Sequence, residues 1–471
     1  MAAESHMAGE LNEDIVQAFA ASLRGKLIRP SDPEYDGARH IWNGMIDRCP
    51  ALIVRVQGTA DVVTTVNFAR EHGLRLAIRS GGHNVAGNAI CDGGLVIDLS
   101  LMRGVFVDAV ARIARVQGGA IWGDVDRETQ LFGLATPSGV ISTTGVAALT
   151  LHGGYGRLRR KYGLTIDNVL SVEIVCADGQ VRTASTTENE DLFWAVRGAG
   201  SNFGVVTSFA FQLHPVGPVV AAAIPLYAAA DAPVVAAKWR DFTATAPDEI
   251  SSDLIFSTLP AHAPIPPELQ GRAVVGIFAM FSGPAQEGEQ LLAPLREFAT
   301  PMLDLSGPVP YVWIQSGFDA NFPKGVRYYQ KARDLDHLSD EVIHELCARI
   351  AAPPSPRTII EVLHNGGAMS RMGTDETAYG RRNAPYYVNV STQWTDPAED
   401  EANIAWAREC WASFGKFSSG GMYLNFPGLG EEKEALVRTG YGPNYARLTR
   451  VKAKYNPTNL LRMNQNIIPA T

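Results

Sequence analysis

The chain has 471 residues, 46% hydrophobic and 19% charged, with a formal net charge of −8. That length suits two to three globular domains, and the acidic balance, with no basic stripe to neutralise phosphates, argues against nucleic acid as a partner. Cys49, Cys91, Cys176, Cys347 and Cys410 lie far apart without a C-x-x-C pair, which argues against a disulfide framework or a bound metal, and no apolar run approaches the roughly 18 residues that cross a bilayer.

Ser5-His6-Met7 reads as a tag remnant, and no basic segment followed by an apolar one marks a secretory signal, so a cytoplasmic protein is expected. Leu11, Ile15, Phe19 and Leu23 stand at helical spacing. Pro50–Val56 reads as a strand and Asp61 as the cap of a helix with Val62, Val63, Val66 and Ala69 on its apolar face. Gly73 ends that helix, and Leu74–Ile78 is the next strand. This order places Arg79-Ser80-Gly81-Gly82-His83-Asn84-Val85-Ala86-Gly87 at the C-terminal end of a strand, where open α/β sheets bind ligands. Adjacent glycines let backbone N–H groups turn toward an anion, although Gly-Gly-His alone is equally a surface turn.

Further strands are expected at Gly94–Leu99, at a Val105–Asp108/Ile113–Gln117 hairpin, and at Val172–Cys176 with a turn at Asp178-Gly179. Helices are expected at Ala120–Phe132 and Asp191–Arg197. A second glycine cluster is Leu151-His152-Gly153-Gly154-Tyr155-Gly156, and a third runs from Gly198 to Gly204 before a strand at Val205–Leu213. The basic run Arg157, Arg159, Arg160, Lys161 reads as a solvated helix end. The texture changes at Pro215–Pro218, which places a boundary near 216. Beyond it, strands at Val274–Phe281, Thr358–Val362 and Tyr386–Trp394 alternate with helices at Pro284–Phe298, Ser339–Ile350 and Glu401–Phe414, which predicts a sheet with helices on one face. Trp394 and Trp406 read as core, and a helix at Asn444–Tyr455 leads into Leu461-Arg462-Met463-Asn464-Gln465-Asn466.

None of the glycine loops carries a nicotinamide-type G-x-G-x-x-G followed by an acidic residue, and none is G-x-x-x-x-G-K-[ST]. They read instead as several backbone cradles around one long, pyrophosphate-containing ligand. The stretches Arg79–His83, Thr150–Gly156, Lys161–Asn168, Phe193–Thr207 and Tyr455–Arg462, in this order, resemble the FAD-linked oxidases of the vanillyl-alcohol-oxidase (PCMH) type, and within them the berberine-bridge-enzyme-like group.

The resemblance implies an α+β protein in two parts. An FAD-binding domain spans 26–216 (core about 46–216) after an N-terminal segment 1–25, an α/β substrate domain spans 217–430, and a tail at 431–471 completes the first domain. It implies FAD tethered through His83, with Arg79, Ser80, Gly81 and Gly82 at the pyrophosphate and Asn84 and Gly87 beside them. Gly145, Val146 and Leu149 would contact the cofactor from the second loop, and Gly153, Gly154, Tyr155 and Gly156 from the cluster after it. Asn202, Gly204, Val205 and Val206 would do so from the third, and Asn464 and Asn466 from the tail. Many relatives add a second flavin bond from a cysteine, but Gly139-Val140-Ile141-Ser142-Thr143 has Ile141 at that position, so His83 is expected to be the only link. Thr144 falls where relatives gate oxygen and, being close to valine in shape, leaves its approach open.

In relatives a tyrosine base lies in Tyr-x-Asn-Tyr. Tyr423-Leu424-Asn425-Phe426 keeps Tyr423 and Asn425 but has Phe426 in the base position. Alternation along Tyr387–Gln393 puts Tyr387, Asn389, Ser391 and Gln393 on one face, with Tyr387 either a base of lowered pKa or a pocket wall. His364 is either structural or a pocket contact. The expected activity is removal of hydride from a C–H beside an alcohol, amine or activated group of a small organic molecule, natural products included, with O2 giving H2O2. The alternatives are a dehydrogenase using another acceptor, a tailoring monooxygenase and a non-catalytic flavoprotein. The substrate and oligomeric state stay open.

Overall fold

The computed structural model describes residues 11–261, 265–420, 423–426, 428 and 434–471. The tag remnant and the proposed boundary at 430/431 therefore lie outside the described residues.

The first 212 residues build two small sheets. One has the order Lys26–Ile28, Leu52–Arg55, Leu95–Asp98, Leu76–Arg79, with the last three strands parallel. The helix Thr59–Glu71 crosses between Leu52–Arg55 and Leu76–Arg79, burying Val62, Val66 and Ala69. Asp61 lies inside that helix's first turn, not at its cap. Its carboxylate instead accepts from the backbone N–H of Arg24 (2.8 Å), Gly25 (2.9 Å) and Gln57 (2.8 Å), because the incoming N-terminal segment leaves those donors beside it. The second sheet is antiparallel, in the order Val105–Asp108, Ile113–Gln117, Gly204–Gln212, Val169–Cys176, Val181–Ser185. The expected hairpins at 109–112 and Asp178-Gly179 are both present.

Residues 219–394 form a nine-stranded antiparallel sheet. Its centre runs Ala273–Phe281, Ile250–Thr258, Ile359–His364, Tyr386–Trp394, Arg327–Leu335. The helices Ala232–Thr243, Asp340–Ile350 and Asp400–Ser413 pack on one face against Leu254, Val362, Val388 and Val390, with Trp239 and Trp394 in that core. Alternation turns Ile255, Glu361, Leu363, Tyr387 and Asn389 to the other face. The strand Arg327–Leu335 has no counterpart in the sequence reading because its charged residues interrupt the apolar alternation. The tail helix Tyr445–Tyr455 returns to the first part, where Tyr445, Leu448, Val451 and Tyr455 pack with Phe193 and Trp194. The molecule is thus an α+β fold whose cofactor-type loops lie against the free face of a large sheet.

The basic run is not solvated. Arg157, Arg159 and Arg160 are all buried. Arg159 pairs with Asp253 at 2.5 Å, and Arg160 bonds the Ile250 carbonyl (2.9 Å) and His364 Nε2 (2.9 Å). The run faces the ends of the central strands Ile250–Thr258 and Ile359–His364, which supply the acceptors, so these guanidiniums tie the two parts together.

Candidate functional site

Two cavities meet at His83. The wider holds about 1260 Å3 of empty space, its mouth included, and lies between the glycine loops and the free face of the large sheet. The narrower, about 700 Å3, runs between Ser80, Ala147 and Val206 toward Asn464 in the tail. His83, Gly82, Asn84, Ala148 and Asn425 line both.

The junction exists because two glycine loops interlock. A Cβ on Gly81 would stand 2.4 Å from the Gly145 nitrogen, and one on Gly145 would stand 2.3 Å from the Gly81 nitrogen. Gly82 adopts φ +71°, a conformation that glycine takes without strain. The His83 ring stacks on Trp42 at 4.9 Å, and its Nε2 lies 3.0 Å from Thr143 Oγ1. Burial and nearby Lys324 hold its pKa down to about 4, so the imidazole is neutral near pH 7 and keeps a nucleophilic lone pair.

The narrow channel is lined by small side chains and exposed backbone, and none of its lining residues is acidic. Ser80, Gly204, Val205, Val206 and Asn464 lie along it. The Asn464 amide donates to the Ser201 carbonyl at 2.7 Å, while its Oδ1 is buried without a partner among the described residues. A buried acceptor left open beside such a channel awaits a ligand donor or water. The dimensions and chemistry suit an extended dinucleotide.

Of the expected contacts, Ser80, Gly81, Gly82, His83 and Asn84 come together as anticipated, as do Gly145, Leu149 and Tyr155 on the wide side. Others line neither cavity. Arg79, expected at a pyrophosphate, turns away: its guanidinium pairs with Asp98 and donates to the Ala38 carbonyl, because the parallel register sets Arg79 opposite Asp98. Gly87 makes a turn under Ile46, and Val146 is core. Gly153 packs on Tyr379, Gly154 on Thr165, and Gly156 on the Ser138 backbone. Asn202 and Asn466 do not face the channel but both accept from the buried Lys452 ammonium, each at 2.8 Å. His364 is structural, held by Arg160, and His152 lines the narrow channel with its Nε2 2.9 Å from Ser201 Oγ.

The wide cavity is mostly apolar. Val140, Ile141, Phe318, Phe322 and Phe426 form one side. Tyr155, Tyr387 and Tyr423 cluster at its end, Tyr155 stacked on Tyr387 at 5.4 Å and edge-on to Tyr423 at 4.7 Å. Asn425 Nδ2 donates to the Tyr423 hydroxyl at 2.7 Å. Burial and the neighbouring Tyr423 and Tyr155 push the Tyr387 phenol well above its usual 10, the opposite of what a base requires, and Tyr423 is pushed up to about 12 by burial. That direction disfavours Tyr387 as a base and leaves it as part of the cavity wall. The carboxylate that does reach this cavity, Glu361, escaped the sequence reading. The alternation Ile359–Leu363 was its signal, because that pattern puts Glu361 on the face opposite Ile360 and Val362. Among the described residues no group of acidic, histidine or cysteine side chains is arranged to hold a metal, and no helix is long and apolar enough to cross a membrane.

Comparison with known proteins agrees with this geometry. A profile described as "FAD binding domain" matches residues 50–185, and one described as "Berberine and berberine like" matches 422–468. An FAD-linked oxidoreductase of Dictyostelium discoideum is 30% identical, the alignment covering 97% of each chain. The (R)-6-hydroxynicotine oxidase of Paenarthrobacter nicotinovorans is 44% identical over 42% of this chain and 43% of its own. The crystal structure of 6-hydroxy-D-nicotine oxidase from Arthrobacter nicotinovorans superimposes with a TM-score of 0.85 at 29% identity, covering 95% of this chain and 99% of that one.

Proposed function

Because the chain belongs to the FAD-linked oxidoreductases of the berberine and berberine-like family, we propose that this FAD-dependent oxidoreductase oxidises a small, largely apolar organic molecule, with FAD tethered through His83 alone and O2 as the acceptor. FAD bound there would supply acceptance of hydride from a C–H beside an alcohol, amine or other activating group and transfer of the electrons to O2 as H2O2. His83 supplies a neutral imidazole nitrogen for the tether at the meeting point of a dinucleotide-shaped channel and a substrate-sized cavity, and that shared position is the observation that carries the proposal.

Ser80, Gly82, Gly204 and Asn464 hold the dinucleotide from backbone and amide groups. Ile141 stands where a second, sulfur link would start, and none of the five cysteines lines either cavity, which supports a single attachment. Thr144 lines the wide cavity without filling it, which favours access of O2. Phe318, Phe322 and Phe426 keep water from the reacting face, and Tyr387, Tyr423 and Asn425 orient the polar end of the substrate. The similarity to 6-hydroxynicotine oxidase supports oxidase chemistry on a nitrogen-bearing ring compound.

Acid precipitation tests the tether. The wild-type pellet is expected to be yellow and the His83→Ala pellet white, with the flavin peptide by mass containing His83. A yellow His83→Ala pellet defeats the assignment. Oxygen uptake with matching H2O2 over aryl alcohols and amines tests the chemistry, and slow reoxidation by air would replace the oxidase reading with a dehydrogenase.

A further inference from the structure

Among the described residues, Glu361 is the one lining residue of the wide cavity that carries a formal negative charge. Its carboxylate has about four lone-pair sites, yet among the described residues it receives a single hydrogen bond, from Asn389 Nδ2, at the long distance of 3.5 Å. Two neighbours are also unmet. Asn389 Oδ1 and the Tyr387 hydroxyl are buried without partners among the described residues. Strand register fixes how these groups meet: Glu361 lies opposite Asn389, and Tyr387 lies two residues along the same strand face, opposite Leu363. Three open oxygens thus converge on one patch of an otherwise apolar cavity.

An acceptor patch of this kind is complemented by a ligand with several N–H donors on one atom. A buried carboxylate without a matched donor is costly, and a charge-assisted bond relieves that cost. We propose that the substrate is an aryl- or alkyl-substituted primary or secondary amine whose ammonium docks on Glu361, Asn389 and Tyr387, with its hydrocarbon against Phe318, Phe322 and Ile255. This assignment rests on the oxidase reading of the same cavity and names its substrate class.

The ground behind Glu361 is consistent with that role. Arg159 pairs with Asp253 at 2.5 Å, Arg157 lies 3.7 Å from it and stacks on Phe278 at 3.8 Å, and among the described residues no ion pair within 4 Å joins either to Glu361. Burial and Asp253 push the Glu361 carboxyl up to about 7, with Arg157 opposing them. A docked ammonium favours the carboxylate. The carboxylate is also placed to take one N–H proton: the N–H bond breaks, an O–H bond forms on Glu361, and the electron pair stays on nitrogen, where oxidation of the adjacent carbon needs it.

The test uses two ligands that cannot be turned over, because the carbon bearing the polar group has no hydrogen. These are α,α-dimethylbenzylamine and its neutral isostere 2-phenyl-2-propanol, titrated calorimetrically into the flavin-loaded protein near neutral pH. The ammonium is expected to bind about tenfold more tightly than the alcohol, the difference of roughly one charge-assisted hydrogen bond. In Glu361→Gln the ratio is expected to fall to near one, with the alcohol's affinity little changed. A ratio near one in the native protein, no binding of the amine, or a preference that survives in Glu361→Gln overturns the proposal. The native ratio decides even if the variant does not fold. The readout is independent of turnover: a white acid pellet or absent H2O2 would remove the covalent-oxidase reading, whereas a lost ratio removes only the amine assignment.

Discussion

A guanidinium beside a glycine turn can face a ligand anion or close a buried ion pair, and Arg79 does the second. Asp98 is fully buried; burial raises its carboxyl, but Arg79 outweighs that and holds it below the ordinary carboxylate range. Arg79→Ala leaves the buried Asp98 carboxylate with the more distant Arg55 Nε (3.3 Å) and the Ser100 N–H (3.1 Å), and loss of the nearer charge-assisted bond costs about 2–3 kcal/mol. A marked fall in the urea midpoint of Arg79→Ala is therefore expected, with flavin content per folded molecule unchanged. A variant of native stability that fails to hold flavin would instead return Arg79 to the pyrophosphate. Residue types at the motif were legible in the sequence, because Gly81, Gly82 and His83 act through what they are: two missing side chains and one imidazole. Arg79, Asn202 and Asn466 were not, because their roles depend on partners distant in sequence. Glu361 was missed for a related reason: a lone carboxylate in a strand looks outward until both faces of the sheet are known to be covered.

Elements meet here through backbone as much as through side chains. The loop after Leu76–Arg79 and the loop before Val146–Leu151 touch at Gly81 and Gly145, so Gly81→Ala drives a methyl into the facing backbone, 2.4 Å from its nitrogen. The expected product retains its far-ultraviolet circular dichroism but purifies without flavin; full flavin loading would show that the contact is slack. The tail is fixed differently. Lys452 Nζ donates to Asn202, Asn466 and the Leu461 carbonyl, the last at 3.1 Å, and pins the chain end over the third glycine loop. Lys452→Met removes three hydrogen bonds, although Asn202 Oδ1 keeps the Ile467 N–H (3.0 Å) and the Leu461 carbonyl keeps Asn456 Nδ2 (3.3 Å), so a loss of about 1–2 kcal/mol, a lower urea midpoint and new protease cleavage after Tyr455 are expected. Unchanged protease resistance would contradict that role. The sequence located most of these elements through periodicity, including the helices on one face of the large sheet. It did not disclose that the basic run after Gly156 packs against the ends of two central strands, since a local charge cluster says nothing about the carbonyls and carboxylate waiting opposite.

Across the whole molecule, burial shifts titratable groups of both signs. It holds His83, His152 and His214 down near 4 and His364 near 2, against an ordinary 6.5. As pH falls below about 6.5 the unfolded chain binds these protons and the native state does not, so each of these histidines lowers stability on acidification. Burial also pushes Asp126 and Glu361 up to about 7 and Asp334 to about 6. There the native state binds protons that the unfolded chain does not, so these carboxyls raise stability over the same interval. Near pH 5 the two sets differ by about one proton, or about 1.4 kcal/mol per pH unit, and tethering His83 removes one histidine from the sum. Lys452, held down to about 6 by burial, adds to the histidine side until the pH has passed about 6, so the flavin-loaded protein is expected to lose only about 1 kcal/mol of stability from about pH 7 to 5. Asp126, whose carboxylate lies 3.5 Å from Gln315 Nε2, gives the discriminating variant. Asp126→Asn keeps an acceptor for Gln315 but removes one of the three opposing groups, so its stability should fall on acidification by up to about 1.4 kcal/mol per unit through this interval. If native and variant proteins have the same slope, the offset between buried histidines and buried carboxyls does not hold.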